Sequence, residues 1–138
     1  MKPMKIYTKK LIGDIETPVT IFKKYVGEEI GILLESNDSV KGRYSFIAKE
    51  PFRTIKSLGE NYQLNGEIFK KNGIKFLEIV EKHIKEYRVE NKEQIYIGGA
   101  YGTIGYDMVR EEENLPDNNL DTIKVPDSHL MFFKEGIV

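Results

Sequence analysis

The stretch LLESNDSVKGRYSF, residues 33–46, sets Glu35 and Ser36 at the end of an apolar run, crosses a small polar loop and resumes at Arg43-Tyr44-Ser45-Phe46. An apolar strand gains about 25 cal/mol per Å² of surface it buries, and an ionised carboxylate directly at its end needs a partner or water. If the runs on either side of the loop are neighbouring strands, Arg43 returns close to Glu35, and Ser36 and Ser45 add hydroxyls at the same end. Two readings follow. One is an Arg–Glu pair at a strand edge, with Ser36 opening a turn. The other is a pocket for a zwitterion: a free amino acid presents an ammonium to Glu35 and a carboxylate to Arg43, which a neutral sugar does not.

Elsewhere the sequence offers little catalytic chemistry. His83 and His129 are far apart and show no metal-ligand spacing, so packing or surface roles are expected for both. The glycines of GGAYGTIG lack the G-x-G-x-x-G order of a dinucleotide site, and no Walker-type Gly-Lys-Ser/Thr occurs. Arg110-Glu111-Glu112-Glu113 reads as a solvated helix face rather than a hard-cation site. No catalytic residue and no metal ligand is assigned.

The 138 residues are 40% hydrophobic and 11% aromatic, enough for the core of one domain. Lys+Arg 21 against Asp+Glu 22 leaves a net charge of −1, which gives nucleic acid or anionic lipid no general attraction. With no cysteine, disulfides, thiolate nucleophiles and Cys-ligated zinc are excluded. No apolar run approaches the roughly 20 residues that span a bilayer, and the basic amino terminus lacks a signal-peptide core. A soluble, cytoplasmic chain is expected. The apolar finish SHLMFFKEGIV reads as a strand that would pair onward, as in the front piece of a longer polypeptide.

The elements that must position these residues are legible in outline. Thr17-Pro18 predicts a helix start and Gly27 its stop. Strands are expected over 30–34 and 44–48, then in FRTIKSL and in NYQLNGEIF, joined through Gly59-Glu60. Asn72 is the expected cap of a helix over 73–88, its stripe formed by Leu77, Val80, Ile84 and Tyr87 beside Ile74 and Phe76. Residues 95–107 read as a strand whose glycines let another backbone pass close, followed by a short helix over 107–113 and an exposed loop through 115–127. Strands in runs, with helices set apart, predict an α+β fold: a mainly antiparallel sheet or sandwich with two or three helices packed on it.

DIETPVTIFKKY, LLES followed by RYSFI, GGAYGTIGYDMVR with LP shortly after, and PDSHLMFF stand in the same order as in the amino-terminal domain of anthranilate synthase component I. The chain resembles that domain from Asp14 to about Phe133. The resemblance implies that residues 1–138 form a single regulatory domain of a longer chain, whose carboxyl-terminal chorismate-binding catalytic domain, with its Mg²⁺, is absent. The family makes anthranilate from chorismate, with ammonia from a glutamine amidotransferase partner, component II.

In feedback-sensitive members the amino-terminal domain holds inhibitory L-tryptophan next to the LLES strand. The resemblance places the family's Glu-Ser pair on Glu35 and Ser36 and its basic residue on Arg43, with Leu34, Tyr44 and Ser45 lining or supporting the pocket. A catalytic-domain Asn-Pro-Ser-Pro-Tyr-Met segment, not in this sequence, completes the site. Gly98, Gly99, Gly102 and Gly105 are read as packing positions and Asp107 with Arg110 as a structural pair. Tyr101 and Thr103-Ile104 depart from the residues common in the family. Two rivals remain: the related component I of aminodeoxychorismate synthase, and a pure docking module for the amidotransferase.

Overall fold

The computed structural model describes residues 5–35, 44–87, 98–116, 120, 121 and 123–138. Helix α1, Pro18–Tyr25, starts where the sequence predicts: Thr17 Oγ1 accepts the Thr20 N–H at 3.1 Å, and Thr20 Oγ1 accepts the Thr17 N–H at 2.8 Å. Strands β1, Gly31–Glu35, and β2, Ser45–Lys49, follow as an antiparallel pair with Leu34 opposite Phe46 and Glu35 opposite Ser45.

The second sheet has five antiparallel strands: β3 (Arg53–Leu58), β4 (Asn61–Leu64), β5 (Glu67–Lys70), β6 (Tyr101–Ile104) and β7 (Ser128–Phe132). Their order is β5-β4-β3-β7-β6. The segment expected as one strand, NYQLNGEIF, is thus two. Asn65 at φ 49° and Gly66 at φ 95° turn the chain back on itself, and Asn-Gly is the pair such a two-residue hairpin turn favours. Of the expected strand over 95–107 only β6 is formed among the described residues, since 88–97 lie outside them. At Gly102, where φ is 153°, a Cβ would stand 2.0 Å from the His129 carbonyl oxygen. This is the close backbone passage that the glycine spacing predicts.

Helix α2 runs Phe76–Glu86, shorter than expected, and Asn72 does not cap it. Asn72 sits at φ 50° in the turn before the helix, and Lys75 is the N-cap without a side-chain bond. The helix buries Phe76, Ile79 and Val80, whereas Leu77 and Ile84 of the expected stripe are 51% and 39% exposed. Val80 and Phe76 are buried as expected, while Ile79 rather than Leu77 or Ile84 completes the buried arc. Phe76 and Val80 close over Ile55, Leu130 and Phe132, flanked by Phe52, Tyr62, Leu64, Ala100 and Met108. Each fully buried side chain of this size contributes about 1.5–3 kcal/mol relative to exposure. Among the described residues, two antiparallel sheets, two α-helices and a 3-10 helix at Tyr106–Glu111 make the fold α+β.

Candidate functional site

The β1–β2 register settles part of the geometry around Glu35. Glu35 and Ser45 are direct cross-strand partners at the end of the pair where the chain passes from β1 to β2, and Leu34 and Phe46 are the next. Successive side chains alternate between faces, so Glu35 and Ser45 share one face while Leu34 and Phe46 share the other. Leu34 is 46% and Tyr44 53% exposed, leaving apolar and aromatic surface in solvent beside the polar pair. Ser36 and Arg43 lie outside the described residues, and so does the expected meeting of Arg43 with Glu35.

Phe46 ties this end to the larger sheet. Its ring stacks on Tyr101 of β6 at a centroid distance of 5.0 Å and an interplanar angle of 27°. One residue further on, Ile47 and Ile137 exchange backbone hydrogen bonds at 2.9 and 2.8 Å. What the arrangement offers is an edge with a carboxylate and a hydroxyl on one side and apolar rings on the other. Glu35 can accept hydrogen bonds and Ser45 can donate or accept them, which is what a polar head group needs.

Both histidines sit in packed surroundings. Arg53 Nη1 stands 2.6 Å from His83 Nδ1 and donates to Glu86 Oε2 at 2.9 Å, while the guanidinium lies 4.8 Å from the Tyr87 ring centroid. A guanidinium only donates, so His83 Nδ1 accepts and the ring is neutral. Burial first, and the Arg53 charge second, hold its pKa below the ordinary histidine value. His129 is likewise lowered by burial, then by Lys56. Among the described residues no three His, Asp or Glu side chains converge where a metal ion could be held.

The acidic run departs from its reading as a solvated face. Glu111 turns inward: Oε1 accepts Lys71 Nζ at 2.6 Å, and Oε2 accepts the Phe76 N–H at 2.7 Å, so this carboxylate caps α2 from 35 residues away. Lys71, only 7% exposed, also donates to Ser57 Oγ at 2.8 Å. Sequence reasoning had no signal for this junction, since Asn72 reads as the cap of α2 and Glu111 as part of a solvated face. Asp107 and Arg110 do pair as expected, at 3.3 Å. The glycines divide. A Cβ at Gly105 would lie 2.3 Å from the Asp127 carbonyl oxygen, a backbone approach like that of Gly102 to His129, whereas Gly98 and Gly99 take positive φ of 91° and 150°.

No family model matches the chain. Curated relatives do. The anthranilate synthase component 1 of Acetivibrio thermocellus is 32% identical over 95% of this chain and 28% of its own length. That of Aquifex aeolicus is 36% identical over 91% of this chain and 27% of its own. Among solved structures, anthranilate synthase component I from Streptococcus pneumoniae TIGR4 superposes with a TM-score of 0.60 at 26% identity, covering 95% of this chain and 28% of that one. The chain therefore spans a little over a quarter of the length of the relatives it matches.

Proposed function

Since the chain is a homologue of anthranilate synthase component I, matching its amino-terminal domain, we propose that it is the regulatory domain of such an enzyme and binds L-tryptophan. The carrying observation is the β1–β2 register, which sets Glu35 of the LLES motif directly opposite Ser45 of RYSF, with exposed Leu34 and Tyr44 alongside. The ammonium of the amino acid faces Glu35, its carboxylate is met by Arg43 and the Ser36 hydroxyl, and the indole is enclosed by apolar and aromatic surface. Burying an indole is worth a few kcal/mol, while charge-assisted hydrogen bonds select the amino acid over other indoles.

The wider reading follows from the relatives. The full-length protein is proposed to be a cytoplasmic lyase converting chorismate and ammonia to anthranilate in tryptophan biosynthesis. Its carboxyl-terminal domain would bring chorismate and Mg²⁺ together, and component II would supply ammonia from glutamine. No step of that chemistry runs through residues 1–138. Bound tryptophan inhibits by favouring an arrangement of the two domains less able to convert chorismate, a coupling of about 1–3 kcal/mol. The names of the relatives favour this reading over aminodeoxychorismate synthase.

The test is calorimetric titration of L-tryptophan into the full-length protein and its Glu35→Ala and Ser36→Ala variants. Binding weakened in both, with unfolding midpoints unchanged, supports the site. Wild-type binding that survives both substitutions refutes it, and no binding at all leaves a docking module.

A further inference from the structure

Among the described residues the two sheets meet through contacts that include the Ile47–Ile137 bridge and the Phe46–Tyr101 ring stack, and the ring stack lies nearer the Glu35–Ser45 end of the β1–β2 pair. Both rings are held. Phe46 is backed by Gly136, where an added Cβ would stand 2.6 Å from Phe46 Cε2 and 2.9 Å from the Ile47 carbonyl oxygen, so only glycine leaves room for the ring. Tyr101 leans on Phe133, itself 6% exposed, at 6.4 Å between ring centroids. Its backbone is fixed by pairing with Met131 and by the close passage of Gly102 against His129.

We infer that Tyr101 is a positioning residue: by clamping Phe46 it holds β2 against the five-stranded sheet and so keeps Ser45 and Tyr44 in place beside Leu34 and Glu35. Phe46 is the strand neighbour of Ser45 and the cross-strand partner of Leu34, so a loosened ring frees both sides of the candidate site at once. The stack also gives a ligand-dependent change at the strand ends a direct mechanical route into β6 and β7. The inference rests on the tryptophan-site reading for that ligand effect only; the clamp itself is a property of the chain without ligand.

The test compares Tyr101→Leu, which removes the ring, with Tyr101→Phe, which keeps it. Amide hydrogen exchange is read strand by strand without ligand, and L-tryptophan binding is read in parallel. The expected result is about tenfold faster exchange in β1 and β2 of Tyr101→Leu, with β3 and β4 unchanged and Tyr101→Phe near wild type. Tryptophan affinity falls in the Leu variant and is restored in the Phe variant. Equal loss of protection in every strand, or none in β1 and β2, overturns the clamp. If Tyr101→Leu does not fold, nuclear Overhauser contacts between the Phe46 and Tyr101 rings in the wild-type chain decide the matter, and their absence overturns it. A wild-type chain that shows the exchange response yet binds no tryptophan keeps the clamp and loses the site reading.

Discussion

Glu111→Gln tests the junction that joins α2 to the rest of the molecule. The carboxylate holds the Phe76 N–H and Lys71 Nζ at once, with side-chain exposures of 21% for Glu111 and 7% for Lys71. Glutamine keeps the shape and one acceptor for the helix cap, but it leaves a buried ammonium with Ser57 as a neutral partner. Breaking one side of a buried pair costs about 3–5 kcal/mol, and losing a helix cap about 0.5–2. The retained amide oxygen and the residual exposure of Glu111 pull the expectation to about 2–3 kcal/mol. Glu111→Ala, losing the cap as well, should cost about 1 kcal/mol more. Against a typical total of about 5–15 kcal/mol, either loss is readily measured.

Urea unfolding followed by circular dichroism supplies the free energies, and a double-mutant cycle with Lys71→Met supplies the coupling. Methionine removes the stranded charge, so Lys71→Met should recover part of the Glu111→Gln loss. Additive effects of the two substitutions, or a Glu111→Gln cost below about 0.5 kcal/mol, would show that the pair is as weak as an exposed one.

Gly102→Ala should cost about 3 kcal/mol or more, because the new Cβ meets a backbone carbonyl at 2.0 Å; thermal unfolding measures it, and a near-neutral effect would contradict the close passage of β6 and β7. His83 has its pKa held below the ordinary 6.5, so the folded state favours the neutral ring. Its contribution is complete above pH 6.5 and is lost as pH falls below that value, where the unfolded chain takes up the proton first. Urea midpoints measured downward from neutral pH should therefore fall less steeply in His83→Asn than in wild type. His129, shifted the same way, keeps the variant's profile from becoming flat.

How far the fold could be read depends on whether the signal was local. The start of α1 was legible because Thr17, Pro18 and Thr20 are a self-contained cap. The close passage at Gly102 was legible because only the absence of a side chain allows it. The β4–β5 hairpin was missed although Asn65-Gly66 is a strong turn signal, since NYQLNGEIF also reads as one alternating run. The start of α2 was not legible: its cap comes from Glu111, a long-range contact that no window of sequence contains. The stripe of α2 was legible in part: Val80 and Phe76 are buried as read, but Ile79 takes the place of Leu77 and Ile84, because only the sheet decides which apolar neighbours face it. At the candidate site, the pairing of Glu35 with the RYSF strand was readable from two apolar runs and a polar loop. The role of Phe46 and Tyr101 was not, because the two rings belong to different sheets.

The central claim is that the Glu35–Ser45 end of the β1–β2 pair receives the head group of L-tryptophan. It is tested most directly by nuclear magnetic resonance of the full-length protein, nitrogen-labelled and titrated with L-tryptophan, with D-tryptophan as the stereochemical control. Amide shifts that concentrate at Leu34, Glu35, Tyr44 and Ser45, spread weakly through Phe46 to Tyr101 and are small for the D-isomer are the predicted result. Shifts centred on α2, β4 or β5, or the same response to both isomers, would contradict it.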